Sequence, residues 1–279
     1  MQVRTLSARA LLVVAVVSAI APFAAAASAS AAVLPLKATS SGHTFDAPLS
    51  LISAGSVVET GKVTAWVASI AAQVYRAPVN ASTKVDAKHR KLVFKTSRVG
   101  YKLSQAGSVS ALCAALASVT ETSAPVSVPL PGSNINPSVP KLGKHILVVE
   151  GRRTIYLYNE TKLEKKYRCA IGQPHWPTPT GTFWIGKKVK NPSWTNGYAS
   201  WSRNMPAYIG PSPNNPLGTR AMYVYGKHGD TGVRFHGVPH SEDSSIGHAA
   251  SHGCLRMHRK DVENFYPRVK VGTPVYIIR

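Results

Sequence analysis

GVRFHGVPHSEDSSIGHAASHGCLRM, residues 232–257, decides how the chain is read. Its opening residues, GVRFH, make an apolar strand that ends at His236, and a strand fixes that side chain on one side of its sheet. A polar loop rich in Gly and Ser follows, and Cys254 arrives 18 residues after His236 in a tight turn at Gly253. Such a loop can return the chain beside the strand end. Strand patterns continue on both sides of this stretch. HILVVEG and RTIYLYN alternate or run apolar around a turn at Glu150–Arg153, a hairpin signal. KKYRCAIG, GTFWIGKKV, AMYVYG and TPVYIIR extend the series, and one helix stands out, RKDVENFYPRV, with Val262, Phe265 and Val269 on one face. Residues 141–279 are therefore expected to form a mostly β domain, a sandwich or a partly closed barrel.

Upstream the texture differs. PLPGSNINPSVP, residues 129–140, holds four prolines with Gly, Ser and Asn, and the linker is placed at 133–140. Residues 33–132 read as a small α+β domain. Val63, Trp66, Val67, Ile70, Ala71 and Val74 lie at helical spacing, and a strand pair turns around Asp86–His89. A second helix follows with Ser104 as its expected cap, and APVSVPLP reads as a closing edge strand. This unit carries no paired acids, no Gly-rich phosphate loop and no metal-ligand spacing.

Residues 1–32 have the layout of a secretory signal peptide. Arg4 and Arg9 precede an apolar run, Ala10 to Ile20, and an Ala/Ser stretch with A-x-A-like sites follows. An uncleaved anchor is the alternative. The 279 residues carry 33 Lys+Arg against 12 Asp+Glu, a net charge of +21, which calls for an anionic partner. Export argues against nucleic acid, and anionic cell-wall polymers fit better. The expected location is secreted or cell wall-associated, outside the cytoplasmic membrane.

Cys113, Cys169 and Cys254 make an odd count, so no complete disulfide framework exists. Cys113, in an apolar helical stretch, and Cys169, in a strand-like one, read as small core residues. Cys254 is the thiol that needs a reason. Five of the ten histidines fall at 236, 240, 248, 252 and 258, and two chemistries compete there. His236/His240 and His248/His252 have i, i+4 spacing that would suit zinc on a helix. Gly237, Pro239, Gly247 and Gly253 make the stretch non-helical, and no CxxC or HExxH is present. The other chemistry is a thiolate nucleophile at Cys254 with a histidine base, which lowers the barrier to deprotonation. Gly253 lets the backbone turn so that its N–H and that of Cys254 can face an oxyanion. With no acid suitably spaced, a backbone carbonyl is expected to orient the base.

RFHG…SSIGHAASHGCLRM resembles the signature of the YkuD-type L,D-transpeptidase catalytic domain, whose core reads HG, S-x-G and SHGC-x-R. PTPTGTFWIGKKVKNPSW, NPLGTRAMYV and YPRVKVGTPVYII are supporting blocks, so the likeness covers nearly all of residues 141–279. The resemblance implies a mostly β fold, Cys254 as nucleophile and His236 as general base, oriented by the Gly237 carbonyl. It places His252 with the Gly253 and Cys254 amides at the oxyanion side, and Arg256 and Ser251 on the substrate side. Val238 departs from the family, which often has Thr or Asn there. His240, His248 and His258 match no essential position and read as solvated or locally hydrogen-bonded rings. The order of elements in the first unit, with the phrase RAPVNAS, resembles the peptidoglycan-binding domain found beside VanW-like domains.

Trp176, Trp184, Trp194 and Trp201 fall close together. Trp184, on a strand, is expected in the core; Trp194 and Trp201, in an irregular stretch, are expected to line a groove over the site. The resemblance implies an exported peptidoglycan L,D-transpeptidase acting on stem peptides without cofactor or metal, forming 3→3 cross-links through a thioester, as a monomer. An L,D-carboxypeptidase on the same donor, or a wall-binding protein with a dead site, are the alternatives.

Overall fold

The computed structural model describes residues 33–54, 56–120 and 123–279. The leader expected at residues 1–32 lies outside them. Among the described residues, no helix is long and apolar enough to cross a membrane.

In the first unit β1 (Val33–Ser40) pairs antiparallel with β2 (His43–Pro48). Helix α1 (Thr60–Val74) buries Val63, Val67, Ile70 and Val74, one face of a 3.6-residue period. The hairpin β3 (Ser82–Asp86) and β4 (Lys91–Lys95) turns where the sequence places it. After β5 (Gly100–Leu103) comes α2 (Gln105–Leu116), and β6 (Val126–Pro129) runs parallel to β1 at the sheet edge. Ser104 stands at the N-cap of α2 but its hydroxyl makes no capping bond. Within the Pro-rich connection, β7 (Gly132–Ile135) pairs with β5, and the Val139 carbonyl accepts from the Ala81 amide. Leu36, Leu51, Val63, Ile70, Leu112 and Leu116 form this unit's own core.

The second unit is an eight-stranded sheet. Its strands are β8 (Lys144–Val149), β9 (Thr154–Asn159), β10 (Lys162–Arg168), β11 (Gly181–Lys190), β12 (Arg220–Gly226), β13 (Gly229–Gly237), β14 (Leu255–Met257) and β15 (Pro274–Ile278). Their spatial order is β10-β9-β8-β15-β11-β12-β13-β14. One cluster takes residues from every strand, from Tyr167 on one edge to Leu255 and Met257 on the other, so the sheet curls around a single core. Helix α3 (Arg259–Phe265) plugs it with Val262 and Phe265, and its Asn264 accepts a hydrogen bond from Tyr167 on the far edge strand at 2.8 Å. Just past β10, Ala170 and Arg256 exchange two backbone hydrogen bonds, of 2.9 and 3.1 Å, which nearly close the barrel. The protein is mostly β, with an α+β unit preceding the curled sheet.

The β3–β4 hairpin packs on the outer face of this sheet. Leu92 is buried with Leu147 and Val149, while the Thr83 hydroxyl meets His145 Nε2 at 3.1 Å. Trp184 does not take its expected place in the core. Its strand neighbours Phe183 and Ile185 face the core, so the two-residue period turns Trp184 outward, 39% exposed.

Candidate active site

The same alternation builds the site. Val233 and Phe235 on β13, Leu255 and Met257 on β14, and Met222 and Val224 on β12 all point into the core. Arg234, His236, Cys254, Arg256 and Tyr223 therefore emerge together on the opposite face, where they wall a cavity of about 400 Å³. β14 runs parallel to β13 with His236 opposite Arg256 and Phe235 opposite Leu255. Cys254, one residue before Leu255, is thereby set alongside Arg234.

His236 is 4% exposed, and its Nδ1 lies 2.6 Å from the Gly237 carbonyl oxygen. A carbonyl only accepts, so the proton sits on Nδ1 and Nε2 carries the lone pair. Burial pushes this imidazole down to about 4 from the ordinary 6.5, and the Arg256 and Arg234 guanidiniums add to the effect, against the Gly237 hydrogen bond. The ring is neutral near pH 7. Its folded value lies below the unfolded one, so the unfolded chain takes up the proton first as pH falls. Stability is accordingly expected to be full above about pH 6.5 and to decline between there and about 4, as urea midpoints across that range would record.

The Cys254 thiol donates weakly to the Gly232 carbonyl at 3.9 Å, not to His236. Burial pushes its pKa up, while the Arg234 backbone N–H and the two guanidiniums lower it. Gly253 holds the turn at φ +103°, a conformation that favours glycine. Ser251 is fully buried and spends its hydroxyl inside this turn. It donates to the Cys254 carbonyl at 2.6 Å and accepts from the Gly253 amide at 3.2 Å. Ser251 shapes the turn and is not among the residues lining the cavity, and its hydroxyl pairs the Gly253 amide. The Cys254 amide has no acceptor among the described residues.

His252 lies between two indoles. Trp201 stacks on it at 4.3 Å and 11°, and Trp176 meets it edge-on at 4.8 Å. Burial, then Arg256, lowers its pKa. Trp194 and Trp201 both line the cavity, 6.2 Å apart. Arg256 reaches it too, but its Nη1 is 2.9 Å from Glu242 Oε2, a partner that sequence reasoning missed. His240 and His258 each bond Asp243 through Nδ1, at 2.8 and 2.9 Å. Among the described residues, no three His, Cys, Asp or Glu side chains converge to hold a metal. Cys169 is in the core, its pKa pushed up to about 12 by burial; Cys113 is half-buried against the first unit's core, and neither is in a disulfide.

A second residue that sequence reasoning missed is Thr178. Its buried hydroxyl accepts from the Gly172 amide at 2.8 Å and donates to the Gly253 carbonyl at 2.9 Å, fastening the Cys254 turn to the chain 75 residues upstream. A Cβ at Gly172 would lie 2.2 Å from the Trp176 carbonyl oxygen, so this close approach requires glycine. Thr178→Val is expected to cost about 1–3 kcal/mol by leaving both backbone groups unpaired. Urea unfolding would measure that loss.

The family model for the L,D-transpeptidase catalytic domain, YkuD, matches residues 143–277. YqjB of Bacillus subtilis (strain 168), named among the L,D-transpeptidases, is 31% identical over 134 residues, which cover 48% of this chain and 70% of that one. The chain belongs to the YkuD L,D-transpeptidase family. A YkuD of Bacillus licheniformis is 31% identical over 157 residues, 56% of this chain and 77% of that protein. ErfK/SrfK of Escherichia coli (strain K12) is 30% identical over 161 residues, 53% of this chain. The match spans 48%, about half, of that relative's length. Among solved structures, the Ldtfm–avibactam carbamoyl enzyme overlaps 89% of this chain and 94% of its own, at 19% identity and a TM-score of 0.41. An L,D-transpeptidase from Mycobacterium smegmatis overlaps 76% of this chain and 85% of its own, at 18% identity and a TM-score of 0.37. In this L,D-transpeptidase family member, Cys254, His236, His252, Arg256, Trp194 and Trp201 share one cavity, while Ser251, Gly237 and Gly253 serve its backbone.

Proposed function

We propose that the protein is an exported peptidoglycan L,D-transpeptidase that forms 3→3 cross-links through a Cys254 thioester. The observation that carries this reading is a neutral, buried His236, its Nδ1 held on the Gly237 carbonyl, on the same cavity wall as the Cys254 thiol. In the donor step the S–H turns from the Gly232 carbonyl toward Nε2. Sγ attacks the carbonyl between the third stem residue and its terminal D-Ala, and His236 takes the proton. The Cys254 amide faces the oxyanion. The carbon–nitrogen bond then breaks, the proton passes to the departing amine, and D-Ala leaves.

An acceptor amine from a neighbouring stem attacks the thioester, gives its proton to His236, and the thiolate recovers that proton as it departs. With both groups neutral at rest, the proton moves only when substrate is present. The layout of Arg4, Arg9 and Ala10–Ile20 supports export, and the charge of +21 supports attraction to anionic wall polymers. We read the first unit as the wall-binding module.

The test is to feed the mature protein tetrapeptide muropeptides and analyse the products by mass spectrometry. Dimers with release of D-Ala, and a thioester on Cys254, are expected. Tripeptides without dimers would make it an L,D-carboxypeptidase, in which water resolves the thioester. No adduct with either tetrapeptide or a carbapenem, alongside retained sacculus binding, would leave only a wall-binding protein.

A further inference from the structure

Two turns meet on the outer face of the sheet, where the β3–β4 hairpin lies against β8 and β9. Each sets an arginine at positive φ, Arg90 at 50° and Arg153 at 47°, a left-handed conformation that residues other than glycine seldom take. The Arg90 guanidinium crosses to the second turn. Its Cζ and both Nη atoms are equally far, 3.7 Å, from the point that a Gly151 Cβ would occupy. The guanidinium plane therefore lies face-on over Gly151, and its N–H edge is left for a partner. Arg153 Nη1 donates to the Gly151 carbonyl at 2.9 Å, and Arg152 Nη1 donates to the Tyr156 hydroxyl at 3.4 Å. Lys166, opposite Tyr156 on β10, holds its Nζ 5.7 Å from the centroid of that ring. Four cations from two units are thus gathered round one turn.

Their charge is not balanced by the fold. Among the described residues none of the four is in an ion pair, whereas Lys144, Arg234, Arg259 and Arg268 each hold a carboxylate. The acid of this turn, Glu150, has one carboxyl oxygen buried without a hydrogen-bond partner, and the cation acting on it is Arg279. Asp86, beside the first turn, is taken by the His89 amide at 3.1 Å and the His89 ring at 2.7 Å. Like charges so close repel and call for a counter-charge, and guanidinium forks match phosphate oxygens. None of the four lines the cavity that holds Cys254; they stand on an exposed turn, which suits a chain passing over the surface. The Tyr156 ring among them packs against the Leu92, Leu147 and Val149 cluster and carries Lys166, so it offers no platform on which a base would stack. We propose that Arg90, Arg152, Arg153 and Lys166 form a docking surface for a phosphodiester-linked polyol polymer, laid across the seam between the two units. This rests on the reading of a wall-associated chain and narrows it to one partner, independently of the chemistry at Cys254.

The test titrates an end-labelled poly(glycerol phosphate) chain with the mature protein and follows fluorescence anisotropy. Wild type is expected to bind it, with an affinity that falls as salt rises. The double variant Arg90→Gln with Arg152→Gln is expected to bind about tenfold less tightly, the loss of two exposed charge contacts. Lys260→Gln with Lys270→Gln removes the same charge from exposed positions elsewhere and is expected to change binding by less than about twofold. Thermal melts verify folding, and both double variants are expected to be acylated by a carbapenem to the wild-type extent. Should the first pair loosen the seam, Arg152→Gln with Lys166→Gln takes its place, with the same outcomes. Equal losses from the two pairs would mean net charge without a site and overturn the proposal. A single-stranded oligonucleotide or phosphatidylglycerol vesicles bound more tightly than the polymer, with the same dependence on Arg90 and Arg152, would give the surface to that partner and also overturn it. Failure of wild type to bind the polymer overturns it as well. Sacculi that still bind after their phosphate polymer is stripped would then leave wall association standing without this surface.

Discussion

Replacing Cys254 with Ala is expected to reduce acyl-enzyme formation to nothing measurable, with tetrapeptide donors and with a carbapenem alike. The reason is chemical. Without Sγ there is no atom to carry the acyl group, and Cys169, in the core with its pKa pushed to about 12, offers no substitute. Cys254 is half-buried and its sulfur makes one weak hydrogen bond, so the melting curve should move by no more than the equivalent of about 1 kcal/mol. Intact-protein mass spectrometry measures the outcome directly. A carbapenem adduct on the Ala variant would place the nucleophile elsewhere.

His236→Gln has the second largest expected effect, a fall in acylation rate of roughly a hundred- to ten-thousandfold, the usual worth of a positioned general base. Glutamine can still donate an N–H to the Gly237 carbonyl but has no basic nitrogen to receive the thiol proton. The variant also removes the group whose folded-state pKa is near 4. Its stability should therefore lose the decline that wild type shows between about pH 6.5 and 4. A variant that acylates normally would dismiss His236 as the base; one that keeps the full acid-side decline would assign that pH dependence to another group.

Much of this was legible in the sequence, for reasons that particular residues make plain. The strand series could be read because Val233, Phe235, Leu255 and Met257 alternate with polar neighbours, and one sheet face has to be dry. His236 and Cys254 could be read because the loop between them is of a length that returns to the strand. Trp184 misled because a large indole argues for burial, whereas its strand already has Phe183 and Ile185 facing inward. The bond between Ser251 and Gly253 was not legible, because sequence shows their types and not that pairing. Thr178 and Glu242 were out of reach for another reason. Their meaning depends on partners, Gly253 and Arg256, that only the folded chain brings near.

The two backbone bonds between Ala170 and Arg256 carry a consequence for folding. They join opposite ends of the curled sheet two residues beyond Cys254, and Thr178 anchors the adjoining turn from the same upstream segment. Shutting the barrel and setting the thiol in its seat are thus one cooperative event. A chain that has collapsed without closing holds His236 on its strand but leaves Cys254 on an untethered loop. Under the proposed chemistry such a chain cannot be acylated, so the fraction of molecules trapped by a carbapenem measures the fraction natively folded.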